Sequence, residues 1–203
     1  MANFNLDVTL SKAIEEFKEK NPTELTWKTG SEFRDDSFYL TFLGREVKVT
    51  YPEGLVRDAG TGQELSLIER ILVLHYFNHA GGSPLRHESI SFKELPGGSI
   101  YIEPFTNRCI RPLINIFGNN LALFREAAEK CGGIKAKFGD ISYCFYPFPR
   151  IPVTLVLWEG DEEFPANANI IFDASAGDYL HTEDYAFLCG MLVGILKKAA
   201  DKS

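Results

Sequence analysis

Residues 141–158, ISYCFYPFPRIPVTLVLW, decide the fold class. Ile141–Phe148 and Val153–Trp158 are runs of aromatic and β-branched residues, types that pack well on a pleated surface, and PFPRIP (147–152) links them. Both runs are predicted strands, and Asn169–Phe172 is a third, short one. Beyond them a helix is predicted from Thr182 to Lys198. Thr182 is its expected N-cap, and Glu183 and Asp184 lie in the first turn, where the helix dipole favours negative charge. Lys197 and Lys198 close it with the complementary sign. Its middle, AFLCGMLVGIL, is apolar on every side, so the helix should be buried. Gly190 and Gly194 are expected to admit another element close to its backbone.

Upstream, Asn5–Lys20 places Leu6, Leu10, Ala13, Ile14 and Phe17 at helical spacing, and Asn21-Pro22 stops that helix. Phe38–Tyr51, FYLTFLGREVKVTY, alternates Val47, Val49 and Tyr51 with polar residues and reverses at Gly44, a β-hairpin pattern. Thr61 and Glu64 have capping-box spacing, and Leu65, Ile68, Ile71 and Leu72 extend a helix to about Asn78, terminated by Gly81-Gly82 and Pro84. Ser89–Phe92 and Ser99–Ile102, separated by LPGG, read as a second strand pair. Phe105–Phe117 and Asn120–Lys130 read as helices, with Gly132-Gly133 supplying a left-handed stop. The expected architecture is one α+β domain over residues 1–203: mostly antiparallel sheet packed with about five helices, including a buried C-terminal one. A division near residues 80–90 is the only candidate boundary.

At 45% hydrophobic and 24% charged, the chain has the composition of a globular protein with a sizeable core. Its basic residues are scattered singly and its charge is −7, so it lacks the clustered Lys/Arg that a phosphate backbone or an anionic membrane requires. The N-terminal MANFNLDVTLSKAIEEF shows no basic segment followed by an apolar one, so no secretory signal is expected and the cytoplasm is the expected location. The longest apolar run, Ala186–Leu196, is too short to span a bilayer, which takes about 18 residues or more. Cysteines 109, 131, 144 and 189 match neither a CxxC ligand pair nor a compact disulfide framework, and read as free thiols.

The charge is concentrated. Between Ile151 and Leu196 stand eight carboxylates (Glu159, Asp161, Glu162, Glu163, Asp173, Asp178, Glu183 and Asp184) and no Lys or Arg, so this segment carries −8 while the remainder is nearly neutral. A segment of this kind is a solvated acidic face, a cation site or a docking surface for a basic partner. Hard divalent cations favour such oxygen ligands, and Asp173 and Asp178 are candidates to converge on Asp161, Glu162 and Glu163. The spacing does not match a DxDxDG loop, which favours the solvated reading. His75 and His79 stand four apart on one helix, the spacing of zinc-binding HxxxH helices, with His87 downstream. Both fall on the Leu65, Ile68, Leu72 stripe, so hydrogen-bonded inward histidines are the competing reading. No GxSxG, Walker or dinucleotide loop is present, and AGGS and PGGS read as turns. Tyr143, Phe145, Tyr146 and Phe148 read as a packed strand rather than a pocket wall.

VLHYFNHAGGSPL, SISFKELPGGSIY and FPRIPVTLVLWEGDEEFPANANIIFDASAGDYLHTED, in that order, resemble an uncharacterised domain-of-unknown-function family of anaerobic bacteria and archaea. Members of that family accompany iron–sulfur and corrinoid proteins, sometimes fused to a cysteine-rich cluster-binding module. No such cysteine-rich stretch occurs in these 203 residues. The resemblance implies an anaerobic cytoplasm and metal-cofactor metabolism, and it carries over no catalytic residue. The family's recurring positions here are His75, Trp158, Gly160, Asp161, Glu162, Phe164, Pro165, Asp173 and Asp184. Two function classes follow. The leading one is a binding or accessory protein for a metal-cofactor system, with an iron–sulfur or corrinoid protein as partner, that uses Trp158, Glu159, Asp161, Glu162, Glu163, Asp173 and Asp184 as its face. The alternative is a small enzyme dependent on a divalent metal held by His75, His79, Asp161 and Glu162.

Overall fold

The computed structural model describes residues 6–201, an α+β fold with two antiparallel sheets. The predicted N-terminal helix runs Leu6–Lys18, and its expected start at Asn5 lies outside the described residues, as do the first residues of the N-terminal segment read for a signal. Two compact units are present. One comprises the chain up to Pro84 together with Phe148–Arg150 and Asp178–Leu180; the other comprises Leu85–Pro147, Ile151–Gly177 and the chain from His181 onward.

The first unit contains α1 (Leu6–Lys18), α2 (Pro22–Thr29), β1 (Glu32–Arg34), β2 (Ser37–Phe42), β3 (Arg45–Thr50), β4 (Val56–Asp58) and α3 (Leu67–His79). Its strands pair antiparallel in sequence order. The predicted hairpin is β2–β3, with Phe38 opposite Val49 and Leu40 opposite Val47, all buried. Leu43 and Gly44 both take positive φ (49° and 81°), the two-residue turn whose twist matches that of the strands. Phe17, Phe38 and Phe77 form the centre of the core, with ring centroids 4.9–5.7 Å apart in edge or tilted contacts. Asn78 Nδ2 donates to the Ala13 carbonyl at 2.9 Å and pins α3 to α1. Tyr76 stacks on Phe148 at 4.2 Å and donates its hydroxyl proton to the Thr29 carbonyl.

Two local expectations change here. Asn21-Pro22 ends α1 and also starts α2: the Asn21 side chain accepts from the Thr23 and Glu24 N–H groups, and Pro22 occupies the first turn, where its missing N–H costs nothing. The capping box of α3 is Ser66 with Glu69, not Thr61 with Glu64. Residues 58–65 are otherwise engaged. The Asp58 carboxylate accepts from Gly60 N, Thr61 N and Thr61 Oγ1, and Leu65 N donates to the Val56 carbonyl, so the chain completes a turn before the helix begins.

The second unit contains β5 (Ser89–Ser91), α4 (Gly98–Phe105), α5 (Arg111–Phe117), α6 (Leu121–Lys130), β6 (Ile134–Lys135), β7 (Ile141–Phe148, whose last residue belongs to the first unit), β8 (Ile151–Trp158), β9 (Asn167–Asp173) and α7 (Thr182–Ala200). Its sheet order is β5-β9-β8-β7-β6. Val153, Leu155 and Leu157 pair with Phe172, Ile170 and Ala168, and these six buried residues form one face. On that face Phe172 meets Tyr185 of α7 at 5.1 Å and Tyr143 meets Phe124 of α6 at 5.7 Å. As expected from its sequence, α7 is buried along Tyr185, Leu188, Cys189, Leu192 and Leu196.

The predicted strand Ser99–Ile102 is instead part of α4. LPGG is no hairpin turn: Glu94 caps a short turn by accepting from Ser91 N and Oγ, Gly97 (φ 72°) opens α4, and a Cβ on Gly98 would collide with the Phe92 carbonyl. β5 finds its partner far away in sequence, with Ile90 opposite Phe172. Between α4 and α5 the helix widens into a π turn at Thr106–Ile110. Pro112 has no N–H to give to the Arg108 carbonyl, and Arg111 N bonds back to Thr106 O instead. Gly190 lies against that Arg108 carbonyl at ordinary contact distance, whereas Gly194 has open space beside it, so the expected close approach along α7 is absent at Gly194. His181, not Thr182, is the N-cap of α7, and Thr182 Oγ1 donates to the Pro96 carbonyl at 2.6 Å. Among the described residues no helix is long and apolar enough to cross a membrane.

Glycine substitutions test this packing by thermal melting. Gly194→Ala should stabilise by about 0.5–1 kcal/mol, the usual gain for alanine over glycine in an uncrowded helix. Gly81→Ala should destabilise by about 1–3 kcal/mol, because its Cβ would strike the Asp178 carboxylate that holds the Ser83 N–H.

Candidate functional site

Residues 159–166 connect β8 to β9 and form a built turn. Asp161 Oδ1 accepts from the Glu163 and Phe164 N–H groups at 2.8 and 2.7 Å, and Asp161 N donates to the Phe164 carbonyl at 2.9 Å. At the base of the turn, Glu159 N donates to Asp140 Oδ2. Two glycines permit close contacts: a Cβ on Gly160 would come within 2.6 Å of Ala166 N, and one on Gly118, after α5, within 2.7 Å of Ala166 Cβ. The turn is thereby seated on the end of α5, with a cleft of about 440 Å³ between Ile114, Asn115 and Asn119 on one side and Asp161, Phe164 and Pro165 on the other.

The turn projects Glu159, Glu162 and Glu163 into solvent, and beside them Phe164 is 68% and Trp158 38% exposed. Among the described residues no ion pair reaches Glu159, Asp161, Glu162 or Glu163. Hydrogen bonds from the Phe164 and Glu163 N–H groups hold the Asp161 carboxyl below the usual aspartate range.

The other carboxylates do not join this turn. Asp173 stands at the far end of β9, about 20 Å along the strand from Asn167 at roughly 3.3 Å per residue. Its Oδ1 accepts from Arg86 N, Ser175 N and Ser175 Oγ, and its Oδ2 from His87 N. Burial pushes its pKa up, but the hydrogen bonds, led by Ser175, outweigh it and leave the carboxyl below the usual range. Asp178 belongs to the first unit, where its Oδ2 accepts from Ser83 N and its carbonyl from Gly81 N. Asp184 is 7% exposed in the first turn of α7, so it is a buried helix-end charge and not part of an outward face. The −8 segment is therefore split by folding: Asp173 and Asp178 take backbone N–H groups and Asp184 lies at a helix end, whereas Glu159, Glu162 and Glu163 face water.

His75 and His79 lie on α3 with ring centroids 5.7 Å apart, both half-buried. They flank the core instead of entering it, because α3 directs Ile71, Leu74, Phe77 and Asn78 inward. Among the described residues no group of three or more His, Cys, Asp and Glu side chains is placed to hold a metal ion. The cysteines are free thiols. Burial pushes Cys109 up to about 12 and Cys189 well above the usual value, so neither is a thiolate nucleophile at neutral pH. Sequence reading missed Ile114, Asn115 and Asn119 as cleft residues. The signal was faint: Asn115 and Asn119 are four apart at a helix end, but nothing local says which loop meets them.

If Asp161 orders the turn, Asp161→Ala should speed amide exchange at Glu163 and Phe164 at least tenfold, read by hydrogen exchange, with β8 and β9 unchanged. The pH dependence follows from the lowered pKa. The order Asp161 confers is complete above the unfolded aspartate value of about 3.9 and lost as pH falls through the lower folded value, so both amides should remain protected at pH 5 and open only in stronger acid.

No curated protein and no solved structure matches the chain. A family model described as "Domain of unknown function (DUF3786)" matches residues 21–194, a span that takes in both sheets, α3, the 159–166 turn and most of α7. With most of its length inside that match, the chain belongs to the DUF3786 family.

Proposed function

We propose that this chain is a binding or accessory protein that docks a basic partner on the 159–166 turn. One observation carries the reading: Glu159, Glu162 and Glu163 face solvent without a cationic partner among the described residues, beside exposed Trp158 and Phe164, on a turn held by Asp161. Exposed aromatics in a charged surround are the usual composition of a protein-docking patch, with the rings as anchors and the charges setting orientation and on-rate. A turn already held in place loses little entropy on binding. The partner class, an iron–sulfur or corrinoid protein of anaerobic metal-cofactor metabolism, is supported by the family likeness described above.

The test is capture of partners from native cell extract by the immobilised chain, in wild type and in Glu162→Lys/Glu163→Lys, which leaves the Asp161 hydrogen bonds in place. The wild type should retain a partner at low salt and release most of it by about 0.5 M, where exposed charges are screened beyond a few ångströms. The double variant should retain at least tenfold less. Equal capture by both proteins would contradict the proposal. Elemental analysis of anaerobically purified protein separates this reading from a metal-dependent enzyme: stoichiometric metal that disappears in His75→Ala would favour the enzyme.

A further inference from the structure

The sheet of the second unit has a second face, opposite to the one packed on α6 and α7. Strand alternation places Tyr146 of β7, Thr154 of β8 and Ile171 and Asp173 of β9 on it, with Thr154 directly opposite Ile171. Between these residues and the segment leading into β5 lies a depression of about 250 Å³. Ile171, Pro152 and Leu85 give it apolar surface; Tyr146, Thr154, Asp173, Glu88 and His87 give it polar groups. Two carboxylates and an aromatic ring line it, and no Lys or Arg is among its lining residues.

We propose that this depression binds a small organic cation, an ammonium or guanidinium group on a short aliphatic chain. The two carboxylates set the sign of the ligand's charge. Asp173 Oδ1 is saturated by three donors, but Oδ2 accepts only from His87 N and retains acceptor capacity. The Tyr146 ring, 44% exposed, offers a face on which a cation is favoured. The apolar residues suit an alkyl chain, and the volume, below the roughly 300–1,000 Å³ of drug-sized sites, limits the ligand to a short one. His87 is held at φ 57°, a conformation rare for residues other than glycine, and this geometry aims its N–H at Asp173. The ionised state of Asp173 at neutral pH agrees with a cationic ligand. None of this depends on the 159–166 turn, so the site stands or falls separately from the docking proposal.

Isothermal titration of the full chain tests it with four probes: agmatine, 1-aminopentane, Nα-acetyl-lysine methylamide and, as neutral control, 1-pentanol. At least one cation should bind saturably with one-to-one stoichiometry while pentanol gives no saturable heat. Binding should weaken at least tenfold in Glu88→Gln and at least threefold in Tyr146→Leu, both exposed positions where folding is checked by melting temperature. Preference for the free amines identifies a small-molecule ligand, and preference for the blocked lysine identifies a side chain presented by a protein. No saturable heat from any cation, equal binding of pentanol, or undiminished binding in Glu88→Gln would overturn the proposal.

Discussion

A single carboxylate holds together the part of the second unit that no local pattern predicts. Asp173 ends β9, and its two oxygens take N–H groups from Arg86, His87 and Ser175 together with the Ser175 hydroxyl. Hydrogen bonds to an ionised acceptor are among the stronger ones in proteins. Through them the segment entering β5 is fastened where Ser89 can lie opposite Asp173 and Ile90 opposite Phe172. That places Phe92, just after β5, stacked on Phe105 of α4 at 3.8 Å. The start of the helical run 98–117 thus depends on a charge 75 residues further along the chain.

The same chemistry recurs with different consequences. Asp58 closes the turn before α3, Glu69 and Glu94 complete capping boxes, Asp161 shapes the 159–166 turn, and Asp178 receives the Ser83 N–H in the first unit. These acidic residues satisfy backbone donors where helices start and loops turn. Among the described residues Glu159, Glu162 and Glu163 accept no such bond and remain as net surface charge on the turn that Asp161 holds. A partner docking there would meet a turn whose backbone Asp161 already holds and whose exposed part is charged and aromatic.

Most of the regular structure was legible. The Gly44 hairpin, the aromatic strands 141–158, the Asn120-capped helix and the apolar helix ending at Lys197-Lys198 each carry their signal within a short window, as periodicity plus a cap or turn residue. The misread elements depend on distant partners. Ser99–Ile102, with two isoleucines and a tyrosine, looks like a strand until Phe92 and Phe105 stack and Gly98 must pass the Phe92 carbonyl. Thr61 and Glu64 have the spacing of a capping box, but Asp58 has already claimed Thr61. The site was half legible for the same reason. The 159–163 cluster could be seen in the sequence, whereas the fate of Asp173, Asp178 and Asp184 turned on donors at 81–87 and on a helix end. The Asn115 and Asn119 wall of the cleft had only the faint signal of two asparagines four apart at a helix end, with nothing local to say which loop meets them.

Folding divides the acidic segment into internal fasteners and outward charge, the division on which the proposed docking role rests. Thermal melting of six single amide variants at pH 7 measures this directly. Asp173→Asn, Asp178→Asn and Asp184→Asn should each lower the midpoint by about 2–6 °C, since each removes a charge that serves buried or backbone donors or a helix end. Glu159→Gln, Glu162→Gln and Glu163→Gln should each move it by less than about 2 °C. Equal effects across the two groups, or larger losses from the glutamates, would contradict the division and the docking role built on it.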